Sequence, residues 1–369
     1  RWHVALTPRD RERLRQLDWP EDADPRFADP VVSVNGHPFL AHRENGDCLF
    51  LDPETDLCLI HSRFGEAAKP LGCRVYPLNI ASTYAGDVSV GIRMDCPAAR
   101  SNRGTPLTSR RREIERMVEE MAIHGGFSED QMCGLSPRVL AFITETLRTE
   151  IAETSDVASP ARSLMLLFAT GRLQDLGTAF LNDLPTLQEV MPSFLERTRE
   201  VVCGTRWRPV GPFWRLVFRT WFASSLRRDE EMIGRGAIRR LTRTGAIAAV
   251  ALGRGRLRRL GAEHPDTPLA AVPLFAGGNQ GRAIPAEADP EADAAWECYW
   301  RMVTERLETL QFFGATYYGY PFFTGLRALS QTYAHVLAAA RIHAFGRGVR
   351  TPEREDVEYA VGAVDHGFG

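Results

Sequence analysis

Four of the seven cysteines fall close together. Cys48, Cys58, Cys73 and Cys96 follow the spacing C-x9-C-x14-C-x22-C, whereas Cys133, Cys203 and Cys298 are scattered through the rest of the chain. A cluster of this kind serves either a disulfide framework or a metal site. Disulfides suit small secreted chains that cannot build a core. This chain has 369 residues and an odd number of cysteines, and Arg1-Trp2-His3 does not read as a secretory leader. A thiolate-rich metal site is therefore preferred, with zinc or an iron–sulfur cluster as the soft-ligand choices. None of the spacings is the tight C-x2-C knuckle. The three scattered cysteines read as small buried hydrophobes.

Other candidates surround the cluster or lie far from it. Of the 45 basic residues only Lys69 is a lysine, and lysine can deprotonate or act as a compact point charge where arginine cannot. Lys69 and Arg74 bracket Cys73, where cationic neighbours would favour a thiolate and offset the charge of a cluster. His61 forms Cys58-x2-His61, either a metal pair or a packing and hydrogen-bonding residue. The run from Phe312 to Phe323 holds seven aromatics in twelve residues. Its Tyr317, Tyr318 and Tyr320 could wall a pocket for an adenosyl group or a cation, or the run could be a core hinge between two helices. Arg235 to Gly261 carries eight arginines and no acid. That stretch reads as a solvated helical face, or one turned to an acidic partner. The net charge of −2 argues against a general nucleic-acid binder.

The elements that must position these residues change character near residue 104. Before it the chain is rich in turns. Thr7-Pro8 predicts a helix over 7–17. Val31–Val34 followed by Asn35-Gly36 predicts a hairpin, and Val88–Met94, after the turn at 84–87, predicts an edge strand. Beyond residue 105 helical periodicity dominates, with helices expected over 109–124, 136–154, 160–172, 174–183, 186–203, 211–228, 230–252, 290–313, 322–345 and 352–364. Residues 262–292, with Pro265, Pro268, Pro273, Pro285 and the Gly277-Gly278 pair, read as a loop or linker. The expected fold class is α+β, mainly α: a small, irregular cysteine-rich metal module with short strands over 1–104, then an all-helical domain over 105–369. Strands do not alternate with helices, so no Rossmann-like sheet is expected. Nor is an apolar run long enough to span a bilayer, so no membrane partner is expected.

Three fragments carry a family resemblance. They are Cys48-Leu49-Phe50-Leu51, Leu57-Cys58-Leu59-Ile60-His61, and Lys69-Pro70-Leu71-Gly72-Cys73-Arg74-Val75-Tyr76-Pro77. They closely resemble the YkgJ-like cysteine-cluster family, which includes the flagellin lysine-N-methylases. Its pattern runs C-x-F-L, then C-x-I-[HY], then K-P-x-x-C-R-x-[YF]-P, and Asp95-Cys96-Pro97 resembles a further family cysteine. The match covers residues 1 to about 104. In that family an additional cysteine group precedes a segment like Trp2–Thr7, and here it would lie upstream of Arg1. The expectation is a chain cropped just after that group, leaving Cys48, Cys58, Cys73 and Cys96 as an incomplete ligand set. The family allows Tyr at His61, which favours the packing role there. The resemblance implies a bacterial, cytoplasmic protein-lysine N-methyltransferase with S-adenosylmethionine as donor. It also implies an iron–sulfur cluster, four-iron by preference, or zinc, and a flagellin-like protein substrate. No catalytic base is legible. The alternative is a non-catalytic zinc- or iron-binding module for metal handling or sensing. The more than two hundred helical residues beyond the module tilt the reading toward an enzyme.

Overall fold

The structure is a computed structural model. It describes residues 4–368 apart from 35, 85–86, 124, 227–236, 260–263, 276–283 and 286. Trp2, Asn35, the Ala85-Gly86 turn and the start of the helix expected over 230–252 lie outside the described residues.

The first helix, α1 (Pro8–Arg15), forms for the reason its sequence suggests. The Thr7 hydroxyl accepts the Asp10 N–H, the Asp10 carboxylate accepts the Thr7 N–H, and Pro8 occupies the first turn. Strands β1 (Val31–Val34) and β2 (His37–Leu40) pair antiparallel, with Val31 opposite Leu40. Three short helices follow: α2 (Leu59–Phe64), α3 (Leu71–Val75) and, after the two-stranded antiparallel sheet of β3 (Leu78–Ser82) and β4 (Val88–Ile92), α4 (Pro97–Arg100).

The remaining elements are helical. They are α5 (Arg111–Met121), α6 (Pro137–Glu153), α7 (Ser159–Leu176), α8 (Thr178–Leu181), α9 (Leu184–Cys203), α10 (Pro212–Ser225), α11 (Ala237–Ala251), α12 (Pro290–Ala294), α13 (Glu297–Thr309), α14 (Phe322–Gly346) and α15 (Arg354–Phe368). The protein is thus mainly helical with two small sheets, as the periodicity indicates. Two boundaries move. The helices expected over 160–172 and 174–183 divide later, at Gly177, whose φ of +78° suits glycine. The helix expected over 290–313 breaks between α12 and α13 and stops at Leu310, which is left-handed at φ +59°.

The chain divides into two compact units, and not at residue 104. One unit comprises residues 1–79, 105–123 and 228–241; the other comprises 80–104, 124–227 and 242–369. The first is built on a small core of Val4, Leu6, Leu14, Phe27, Leu40, Leu49, Phe50 and Ile60. Trp19 ties its loops together, with ring centroids 4.5 Å from Phe27, 5.5 Å from Phe50 and 4.9 Å from Phe64. Helix α5, expected in the helical domain, supplies part of this unit, while β4, Cys96 and α4 belong to the other. In that second unit α14 packs between α7 and α15, and α13 lies against α6, α15 and β4. Gly325 on α14 is required: a Cβ there would strike the Phe312 carbonyl.

Candidate metal centre

Three of the four clustered cysteines come together in the first unit. At Cys48 the chain turns so that Leu49 and Phe50 enter the core, with Leu51 N–H donating to the Cys48 carbonyl at 3.0 Å. Cys58 stands at the start of α2, held by Leu59 N–H donating to the Phe50 carbonyl at 2.8 Å. Cys73 lies within α3. All three line the edge of the same hydrophobic core.

Their chemistry is coupled. Burial first, then negative charge on Cys48 and Cys58, pushes the Cys73 thiol up to about 12, with Lys69 opposing and Asp10 adding to the rise. Burial also raises the Cys48 thiol, against an N–H from Phe50 and with a further rise from Cys58. Thiols close enough to disfavour each other's ionisation are the donor set whose protons a bound cation displaces. Among the described residues no three or more His, Cys, Asp or Glu side chains are drawn into coordination geometry. The three thiols are therefore the right donors in kind for a soft metal and share one core edge, but they are not arranged as a coordination set and are fewer than a tetrahedral four. All seven cysteines are free thiols.

The loop carrying Cys73 is fixed by a ring of charge that has no local signature. Asp10 is fully buried and accepts the Leu71 N–H at 2.9 Å, beside Arg13 at 3.2 Å. The Lys69 carbonyl accepts from both Arg13 and Arg74, each at 3.1 Å. Glu120 on α5 closes the ring, taking Arg13 at 2.9 Å and Arg74 at 2.6 Å. Burial alone would raise the Glu120 carboxyl, but Arg74 and Arg13 outweigh it and hold it below the usual carboxylate range. Thr7-Pro8 did signal the start of α1; the link of Asp10 to Leu71 did not show in the sequence. Arg74 thus acts on the backbone of the cysteine loop and on Glu120. Lys69 is extended (φ −66°, ψ 148°), as its position before proline requires, and its charge reaches Cys73. His61 is exposed on α2.

Cys96 belongs to the second unit, where it begins α4. The strand before it is anchored there: Ile92 N–H donates to Glu305 at 2.8 Å and Met94 N–H to Asp365 at 2.6 Å. Arg306 joins these carboxylates, 2.7 Å from Asp365 and 3.8 Å from Glu305. Gly91 lets this happen, because a Cβ there would collide with Glu305 and Gln311.

Of the three candidate pocket tyrosines, Tyr317 lines a cavity of about 20 Å³ with Arg306, Gln311 and Asp365. That holds about one water molecule and is far too small for an adenosyl group. Tyr318 and Tyr320 are exposed and do not line it. The aromatic run forms the turn between α13 and α14, with Phe312, Phe313 and Phe322 buried, so the hinge reading holds. Of the scattered cysteines, Cys298 is buried as expected; Cys133 and Cys203 are half-buried, a correction that reflects their places at a turn and at the end of α9.

Comparison with protein-family models, curated proteins and solved structures gives no match.

Proposed function

We propose that the protein binds a thiolate-held metal centre, an iron–sulfur cluster or zinc, through Cys48, Cys58 and Cys73. The observation that carries this reading is the convergence of these three thiols, far apart in sequence, on one edge of one small core, with Lys69 as a countercharge. Cys96 is the fourth thiol of the motif. A bound metal would supply the positive charge that turns these thiols into thiolates. The chain's own residues hold the loop: Asp10 and Glu120, through Arg13 and Arg74, fix Cys73 whether or not metal is present.

The motif resemblance extends the proposal to protein-lysine N-methyl transfer from S-adenosylmethionine in the cytoplasm. In that reaction the sulfonium–methyl bond breaks as the nitrogen–methyl bond forms. The acceptor amine must first give up its proton, since free lysine has a pKa of about 10.4. The metal proposal stands without this second step.

Anaerobic reconstitution with ferrous iron and sulfide, or with zinc, followed by metal counting on the wild type and on Ser variants of the four cysteines, tests the centre. The expected result is stoichiometric metal that falls sharply in Cys48→Ser, Cys58→Ser and Cys73→Ser. Wild-type metal content in all three variants would sink the reading. Methyl transfer to lysines of a flagellin-like protein, assayed on the metal-loaded form, tests the extension.

A further inference from the structure

Helix α10 is apolar on two sides, and only one of them is covered. Its inner side packs into the core of the second unit through Phe222, with Phe218 6.1 Å from Phe222 and 5.6 Å from Phe275 between ring centroids. Its outer side exposes Phe213 (66%), Trp214 (64%), Leu216 (42%) and Val217 (39%). A helix hydrophobic all round is ordinarily buried, and a contiguous exposed patch of this kind marks an interaction surface. The charge around it is one-sided. Residues 201–262 contain fourteen arginines and three acids, and all three acids lie at 229–231. Arg206 and Arg208 are exposed just before the helix, whereas Arg215 and Arg219 lie over the Phe275 ring on the covered side, at 5.6 and 5.1 Å.

We infer that the outer face of α10 is a docking surface for an anionic lipid bilayer, on which the protein lies without spanning it. Aromatic and aliphatic side chains on one face, flanked by arginines and free of acids, are what an interfacial helix needs. The aromatics enter the headgroup–acyl boundary and the arginines meet anionic headgroups. No described helix is long and apolar enough to cross a membrane, so the association is peripheral. This departs from the expectation of no membrane partner, which rested on the lack of a spanning segment. A second copy of the chain is a poorer occupant, because a two-fold contact would set arginine patch against arginine patch. Single-stranded nucleic acid would use stacked aromatics, but Leu216 and Val217 in the middle of the face offer no stacking surface.

The test uses the full chain with phosphatidylcholine vesicles, with and without about one third phosphatidylglycerol, by co-sedimentation. Binding is expected only to the anionic vesicles, with tryptophan emission shifted to the blue, and it should weaken in 0.5 M salt. The double substitution Phe213→Glu with Trp214→Glu should weaken binding by at least about tenfold. Each of Arg206→Glu and Arg208→Glu should weaken it by roughly fivefold or more, the equivalent of about one surface charge. Both aromatic positions are exposed, so circular dichroism and the thermal midpoint should stay at wild type and separate lost docking from lost folding. Equal binding to neutral vesicles, or wild-type binding by the double variant, would overturn the inference. So would a dimer in light scattering that the same variant abolishes, or displacement of the patch from vesicles by single-stranded RNA at equal charge.

Discussion

Beside the cysteine loop, Asp10 is wholly buried, yet its two oxygens take the Thr7 N–H and hydroxyl, the Leu71 N–H and Arg13. In the second unit Glu305 is also withdrawn from water. It takes one backbone N–H, from Ile92, and stands 3.8 Å from Arg306, whose closer partner is Asp365. Its other oxygen has no hydrogen-bond partner. Burial accordingly pushes the Glu305 carboxyl up to about 7, with Arg306 and the Ile92 N–H opposing. The two regions differ in what their charge is for. In the first, charged groups are matched donor to acceptor and lock the loop that carries Cys73. In the second, a carboxyl sits where its charge is poorly met and its neutral form is favoured near neutrality. A buried charge contributes to a structure only when its hydrogen bonds are complete.

The strongest way to break this contrast is Asp10→Ala. It leaves the Leu71 N–H, Arg13 and the cap of α1 without their acceptor, and the expected loss is about 3–5 kcal/mol in urea unfolding. Cys73 should also react several times faster with a thiol reagent. A loss under about 1 kcal/mol would mean that the ring around Asp10 is ornamental.

Glu305→Gln tests the opposite case. A carboxyl whose pKa is raised on folding stabilises the protein fully below its unfolded value near 4.5, and that contribution is lost as pH rises through about 7. The variant has no proton to lose. It should match the wild type near pH 4 and become more stable by up to about 3 kcal/mol above pH 7, the size of a shift of this extent. Equal stability of the two proteins at pH 8 would show that Glu305 is adequately paired by Arg306.

The smallest effect is expected at Lys69, which is half-exposed. Lys69→Ala should slow thiol labelling at Cys73 by roughly two- to fivefold, as fits one partly screened charge. Lys69→Arg should behave like the wild type if charge is the function. Failure of Arg to rescue Ala would point instead to the proton that only lysine can release.

What could be read in the sequence was local. Thr7-Pro8-x-Asp10, Ser136-Pro137 and the turn at Gly36 announce elements because cap, proline and glycine act within a few residues. The mainly helical class followed from periodicity in the same way. Clustering and motif marked Cys48, Cys58, Cys73 and Cys96 as one set, but only the first three lie against one core, and Cys96 belongs to the other unit. The division between units could not be read, since it turns on contacts distant in sequence. Arg74 finds Glu120 46 residues on, and Met94 finds Asp365 271 residues on. No window of composition reports such pairs. Nor could composition tell a hinge from a pocket at Tyr317, where the difference is the space left between α13 and α14.

That Glu120 comes from α5 has a consequence in time. A ribosome adding about 5–20 residues per second needs roughly 2–9 s to travel the 46 residues from Arg74 to Glu120. Through that interval the three thiols have been made and Arg13 already has Asp10, but Arg74 has no carboxylate to close upon. The cysteine loop is therefore born half-locked, tied to Asp10 alone, and its ring of charge closes only when a helix from beyond Cys96 arrives.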